Sequence, residues 1–214
     1  MVQQLVDIVI AVLLTVSERK RAAIARAALT LFASDGYERT SVDAIAAEAG
    51  VSKRTVYSHY GDKENLFLSV VRETYEAMLT RIAEIVERTA WDRDVSAALN
   101  SCVFDVTRSI VRAPDRSTLV RLLMTEAPHF PALIDLLHTR EIAPLLAAPL
   151  AELTAAGRLS APDPRQAAEH LSALTFGQVS ARSLMGTVPL TEEETTRVLR
   201  GGVQVFLRAY QTAR

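Results

Sequence analysis

The sequence predicts an all-α protein of about nine helices. From Ser17 onward, apolar residues recur every three or four positions, which is the spacing of an amphipathic helix, and no stretch keeps the alternation of two that is typical of a strand. Glycine, proline and aspartate cluster between these stretches, as at Asp35-Gly36 and Asp163-Pro164, and such clusters end helices. The chain has 214 residues, 49% of them hydrophobic, so it is long enough to bury a sizeable core.

Four helices are expected at the start of this pattern, and the second and third are short. Their expected ranges are 17–34, 41–49, 52–59 and 63–88. Gly50 stands between the two short helices. Two short helices joined by a turn that contains glycine are typical of a helix-turn-helix, whose second helix enters the major groove of DNA.

The last two helices have well-marked beginnings. Asp163 before Pro164 supplies an N-cap and a first-turn proline, and Thr191 with Glu194 makes a capping box. A kink or a split is expected in another helical stretch because it contains two prolines, Pro144 and Pro149.

The third helix, over 52–59, holds the most concentrated polar and aromatic surface of the chain. With Val56 and Tyr60 turned to the core, its other residues lie on the flanks and the outer face. The residues expected to meet bases or nearby phosphates are Lys53, Thr55, Tyr57, Ser58 and His59. Those expected mainly to hold the DNA backbone are Thr40, Ser41 and Lys63, and the predicted DNA-binding set also includes Ser52 and Arg54.

Charge supports DNA binding only locally. The 24 Lys and Arg nearly cancel the 25 Asp and Glu over the whole chain. Between residues 17 and 63 the balance is about +2, and no acidic residue lies between Val51 and Gly61. Taken singly, a Lys or Arg on such a surface is more often just solvated. The prediction of DNA binding therefore depends on the combination of cationic, hydroxyl and aromatic residues.

The same residues carry a family resemblance. The run TSVDAIAAEAGVSKRTVYSHYGDKENLF, with ALTLFASDGYERT before it, resembles the DNA-binding domain of the tetracycline-repressor (TetR/AcrR) family over about residues 17–68. Tyr60 stands where the family usually has Phe. The stretches VRLLMTEAPHFPALIDLL and AGRLSAPDPRQAAEHLSALTFGQ are similar to the C-terminal domain of the AcrR/AefR-like branch.

This resemblance implies a domain organisation and a set of partners. It implies a helix-turn-helix DNA-binding domain over 17–63 and a helical ligand-binding and dimerisation domain over 64–214, after an apolar extension over 1–16. The implied partners are a double-stranded DNA operator, a small-molecule effector and a second copy of the chain. The implied protein is a repressor, and a small, largely apolar molecule releases it from DNA. No cofactor is implied.

The last two helices could form the subunit contact. Their apolar faces could pair into a four-helix bundle across a two-fold axis, or could belong to the core of one chain. The residues on these faces are Leu171, Leu174, Phe176, Val179, Val198, Val203, Val205, Phe206 and Tyr210.

Candidate effector-binding residues lie among the middle and later helices. They combine apolar side chains with a few polar groups, as ligand pockets do, and are Phe104, Arg121, Met124, Phe176 and Gln178. Ordinary core packing explains Phe104, Met124 and Phe176 equally well, and Arg121 could simply pair with Glu126 across a turn.

A metal-dependent enzyme built on a helical bundle is the alternative function. Glu126 and His129 have the spacing of an iron-ligand pair, but such a site needs a second pair and further carboxylates, and the chain contains no second Glu-x-x-His. Pro128 would also disrupt the helix that has to present both ligands. No catalytic residue and no metal ligand is therefore predicted.

The apolar N-terminal stretch is not expected to be a signal for export or a membrane anchor. The run from Leu5 to Val16 is shorter than a bilayer span, contains Asp7 and follows no Lys or Arg, so an extra helix packed on the protein body or on a neighbouring subunit is favoured over a signal peptide. A membrane-surface helix would need a basic face, which residues 1–16 lack. Cys102 is the only cysteine, which fits a reducing cytoplasm.

Overall fold

A computed structural model of the protein describes residues 16–92, 94–111, 119, 122–123, 125–134, 142–184 and 187–212. These residues form nine α-helices and no strand, which confirms the all-α prediction. The apolar extension lies outside the described residues, apart from Val16 at the start of the first helix. In the described parts of the chain, no helix is long and apolar enough to cross a bilayer.

The helices are numbered in chain order. Their bounds are α1 Val16–Asp35, α2 Val42–Glu48, α3 Lys53–Tyr60, α4 Lys63–Arg88, α5 Val95–Val111, α6 Ala143–Ala155, α7 Pro164–Ser172, α8 Gln178–Arg182 and α9 Glu192–Tyr210. A π-helical turn, Ala173–Gly177, joins α7 to α8, and a 3₁₀ turn covers Ala127–His129. The first four helices lie within two residues of the predicted ranges.

The predicted caps of the later helices are confirmed. The Asp163 side chain accepts hydrogen bonds from the amides of Arg165 and Gln166 at the start of α7. At the start of α9, Thr191 and Glu194 form the reciprocal capping box. Both helices therefore begin where their sequence signals place them.

The expected split at the two prolines does not occur. Pro144 lies in the first turn of α6, where a proline removes no helical hydrogen bond. Pro149 lies inside the same helix and is buried, and α6 continues past it to Ala155.

Contacts between residues divide the chain into two compact units. The first contains the chain up to Thr74 together with Leu122–Leu133, and the second contains Tyr75–Arg121 and Ile134–Arg214. The helix-turn-helix therefore shares a unit with a short segment from the middle of the chain. The functional boundary at residue 63 stays a prediction.

The core of the second unit includes part of the predicted subunit contact. Leu171, Val179, Val203 and Phe206 are buried within the single chain, so the intrachain alternative holds for them. Val205, in contrast, is 49% exposed on the other side of α9. The core also contains Cys102, where burial raises the pKa of the thiol to about 11.

Candidate nucleic-acid interface

The helix-turn-helix is built from local caps and one glycine turn. The Ser41 hydroxyl caps α2 by accepting from the amide of Ala44 at 3.1 Å, and the Ser52 hydroxyl caps α3 by accepting from the amide of Thr55 at 3.1 Å. Between the helices, Gly50 has a φ of 65°, a conformation that side-chain-bearing residues rarely adopt. The turn therefore has the residue type that its backbone requires.

Helix α3 presents its polar side to solvent. Val56 and Tyr60 are buried, with exposures of 1% and 8%, as predicted. Five of the predicted contact residues of this turn and helix are exposed and two are half-buried; the exposed ones are Ser52, Lys53, Arg54, Tyr57 and Ser58, and the half-buried ones are Thr55 and His59. Their positions on the surface fit a groove-reading helix, and their contacts with DNA stay a prediction.

Three serine and threonine hydroxyls of this surface, those of Ser52, Thr55 and Ser58, are already hydrogen-bonded within the protein. The Ser58 hydroxyl donates to the carbonyl of Thr55 at 2.8 Å, and the Ser52 and Thr55 hydroxyls lie 2.8 Å apart. In each of these bonds the oxygen of the donating hydroxyl can still accept, but its proton is engaged.

Thr40 differs from the other predicted contacts. Its side chain is buried, and its hydroxyl lies 2.8 Å from the carbonyl oxygen of Gly36 and 3.1 Å from that of Leu31. The hydroxyl therefore holds the end of α1 and the following loop together. Its geometry gives no support to the side-chain phosphate contact that the sequence suggests.

Both lysines of the predicted set have partners in the free protein. Lys53 Nζ lies 2.7 Å from Asp43 Oδ2, and this hydrogen bond raises the pKa of the Lys53 ammonium. Lys63 Nζ donates to the carbonyl of Glu38 at 3.2 Å and lies 4.3 Å from the centre of the Tyr37 ring, a cation–π distance.

The C-terminal end of α3 is anchored through Tyr60. The guanidinium of Arg21, in α1, lies 5.6 Å from the centre of the Tyr60 ring and forms an ion pair with Glu73 of α4. Burial raises the pKa of the Tyr60 phenol. Tyr in place of the family's usual Phe thus keeps the ring in the core and places its hydroxyl 3.5 Å from the Arg21 carbonyl.

A segment from the middle of the chain packs on the loop between α1 and α2. Glu126 Oε1 accepts a hydrogen bond from the Tyr37 amide at 3.1 Å, and the rings of Tyr37 and Phe130 meet edge to face with centres 4.7 Å apart. Phe67 of α4 completes the cluster, 5.1 Å from Tyr37 and 4.8 Å from Phe130. The sequence interpretation missed this contact and considered Glu126 as a partner of Arg121 or of His129, because 89 positions separate Glu126 from Tyr37.

The Glu126–His129 pair does not belong to a metal site in the described part of the chain. Pro128 lies in the 3₁₀ turn between the two residues, and Glu126 instead binds the Tyr37 amide. No group of three or more His, Cys, Asp or Glu that could hold a metal ion occurs among the described residues.

The predicted effector-binding residues are only partly described. Phe104 is half-buried on α5, Phe176 is half-buried in the π-helical turn, and Gln178 is exposed at the start of α8. Arg121 and Met124 lie outside the described residues. A cleft of about 590 Å³ in the second unit is lined by α4 and α5 residues that include Arg81, Arg88 and Arg108, and a cleft of about 410 Å³ lies beside Trp91 and Pro149.

Comparison with known protein families shows the family to which the chain belongs. Residues 24–70 match the profile of the bacterial regulatory proteins of the tetR family. Residues 104–212, half of the chain, match that of the AefR-like transcriptional repressor, C-terminal domain. The chain belongs to the TetR family. TetR proteins are DNA-binding transcriptional regulators and not enzymes, so the metal-dependent enzyme alternative loses its support.

Solved TetR structures resemble more than nine-tenths of the chain. A TetR-family regulator from Mesorhizobium loti is 28% identical, covers 93% of this chain and 100% of its own, and has a TM-score of 0.83. The flavonoid-responsive regulator FrrA is 30% identical over 92% of this chain and 99% of its own, with a TM-score of 0.68. Both share the N-terminal helix-turn-helix and the helical C-terminal domain.

Curated TetR relatives match shorter stretches of the chain. The repressor AcnR of Corynebacterium glutamicum is 31% identical over 45% of this chain and 43% of its own length. The activator FasR of Mycolicibacterium smegmatis is 28% identical over 41% of this chain and 40% of its own. The chain spans about half or less of the length of these relatives. They include a repressor and an activator.

Proposed function

We propose that this TetR regulator is a repressor that binds a nearly palindromic operator as a homodimer and leaves it when a small molecule binds. The observation that carries the DNA-binding part is the solvent face of α3. It presents cationic, hydroxyl and aromatic side chains and no acidic group, on a helix that Val56 and Tyr60 fix to the core. Such a face suits the major groove, where bases offer acceptors and the flanking phosphates attract cations.

The proposed contacts follow from the positions of the side chains. Lys53, Thr55, Tyr57, Ser58 and His59 would meet bases or nearby phosphates. Backbone contacts are proposed for Ser41, Ser52, Arg54 and Lys63, whereas the Thr40 hydroxyl is left out because it is engaged inside the protein. Ser41 and Ser52 stand at the N-termini of α2 and α3, where free amides favour an anion.

The homodimer is proposed to form through the outer side of the last two helices. Val205 on α9 and Leu184 after α8 are 49% and 63% exposed, and Ala209 is exposed on the same side of α9 as Val205. Small and apolar side chains at helical spacing allow two helices to approach closely. The residues that the single chain already buries contribute nothing to this contact.

Repression and release are proposed from the family and from the course of the chain. The matched C-terminal domain is described as that of a repressor. Helix α4 begins in the first unit and ends in the second, and Leu122–Leu133 belongs to the first unit while the chain on either side belongs to the second. The chain therefore passes between the two units at α4 and at both ends of Leu122–Leu133, and a change that an effector causes in the second unit could reach the helix-turn-helix through these segments.

The operator is tested by selection from a pool of random duplexes with the purified protein. We expect an inverted repeat whose half-sites are about 34–36 Å apart, because two recognition helices would read successive major grooves on one side of the DNA. A single half-site would contradict the dimer. No enrichment of any sequence at low salt would contradict the proposed DNA-binding function.

Effector release is tested by titrating small apolar compounds into the complex of the protein with its selected operator. Flavonoids are the first choice, since the 30% identical FrrA is described as flavonoid-responsive. An effector is expected to lower operator affinity about 5- to 150-fold, and the operator should weaken compound binding by the same factor. A compound that binds tightly without changing operator affinity would contradict release by that compound class.

A further inference from the structure

An ion pair joins the two helices of the helix-turn-helix on their exposed side. Asp43, in the first turn of α2, lies 2.7 Å through its Oδ2 from Nζ of Lys53, the first residue of α3. The side chains of Asp43 and Lys53 are 68% and 49% exposed. The pair therefore lies within the surface that we propose for DNA.

The pair is not needed to build either helix. Ser41 caps α2 and Ser52 caps α3, so both helix starts have their own side-chain acceptor. Ion pairs this exposed stabilise a fold little. Lys53 is moreover a cation at a helix N-terminus, where the helix dipole disfavours positive charge. A lysine at this position is better explained by DNA than by folding.

We propose that Asp43 is a positioning residue for operator recognition, which holds the Lys53 ammonium in one direction and reduces its attraction to unrelated DNA. This inference rests on the proposed DNA-binding function. It assigns a role in DNA recognition to an acidic residue, whereas the sequence interpretation considered only cations, hydroxyls and aromatic residues.

The physical reason lies in the flexibility of lysine. A free lysine is a point charge on a long flexible stem, so it can reach a phosphate in any register, and such contacts favour all sequences equally. Bound to Asp43, the ammonium keeps two further hydrogens whose directions are set by the pair, as a contact to guanine O6 or N7 requires. The carboxylate also offsets one positive charge that unrelated DNA would otherwise attract.

The test compares Asp43→Asn with Glu48→Gln. Glu48 ends the same helix and is exposed, so both variants lose one negative charge from α2, and only the first loses the partner of Lys53. Affinities for the selected operator and for an unrelated duplex of equal length are measured over a salt series. The specificity ratio is the operator affinity divided by the affinity for the unrelated duplex. Thermal melting checks that both variants fold.

In the Asp43→Asn variant, affinity for the unrelated duplex should rise about 3- to 10-fold while operator affinity changes less, so the specificity ratio falls. The dependence of unrelated binding on salt should steepen by about one unit of slope. Glu48→Gln and the conservative Asp43→Glu should both keep the wild-type ratio. In a Lys53→Ala background, Asp43→Asn should leave the ratio unchanged, since the group that it releases is absent.

Two results would overturn the inference. One is a specificity ratio that Asp43→Asn leaves at the wild-type value, and the other is an equal fall in Glu48→Gln, which would reduce the effect to general charge. Failure of the proposed function looks different, because the wild-type protein itself would then select no sequence.

Discussion

Replacing Gly202 with Ala should destabilise the protein by about 3 kcal/mol or more, because the new methyl group would overlap with neighbouring backbone. A Cβ built on Gly202 would lie 2.2 Å from the carbonyl oxygen of Leu174 and 2.9 Å from Cγ2 of Thr175. Helix α9 thus packs directly on the backbone of the π-helical turn. Urea unfolding followed by circular dichroism measures the loss.

The neighbouring glycine provides the control. Within a single chain, nothing lies within 4 Å of a Cβ built on Gly201, and the residue lies inside α9. In the monomeric chain, Gly201→Ala should therefore raise stability by about 0.5–1 kcal/mol through its better helix propensity. If Gly202→Ala were as stable as Gly201→Ala at the same protein concentration, this packing would be wrong.

Replacing Tyr57 with Ala should weaken operator binding about 10- to 100-fold, which corresponds to losing one base-reading contact. Tyr57 is 42% exposed on the outer face of α3, so its removal should leave the melting temperature nearly unchanged. Fluorescence anisotropy with labelled operator measures the loss. Wild-type affinity in Tyr57→Ala would contradict the assignment of this face of α3 to DNA.

Lys63→Ala is the matched comparison for Tyr57→Ala. A phosphate contact carries no sequence information, so its loss should weaken binding to all duplexes about equally and lower the salt slope by about one. In the free protein the Lys63 ammonium binds the Glu38 carbonyl and the Tyr37 ring, and it must leave at least one of them to reach DNA.

The sequence predicted the first four helices well because their boundaries depend on neighbouring residues. Asp35-Gly36 ends α1, Ser41 and Ser52 cap the next two helices, and Gly61 ends α3 with a φ of 80°. These signals act within one turn of the chain, so they can be read without tertiary structure.

The parts that were missed depend on contacts between distant residues. Glu126 and Phe130 contact Tyr37 although they lie far from it in the sequence. The spacing of apolar residues predicts helices and does not predict such a contact. The same limit applies to Thr40, whose hydroxyl is expected at the DNA surface from its position before α2 but turns inward to the end of α1.

Periodicity also does not separate two apolar faces of one helix. Val203 and Val205 count equally as apolar residues of α9, yet Val203 is buried and Val205 is half exposed. The difference follows from which side of α9 packs on the π-helical turn, which the sequence did not predict.

Sequence-selective DNA binding through α3 is the central claim, and the specificity ratio of the wild-type protein tests it most directly. The measurement compares the affinity for the selected operator with that for a scrambled duplex of equal length, at one physiological salt concentration. A ratio of about 10³ or more is expected for a specific regulator. A ratio near one would show binding by charge alone and would contradict the account.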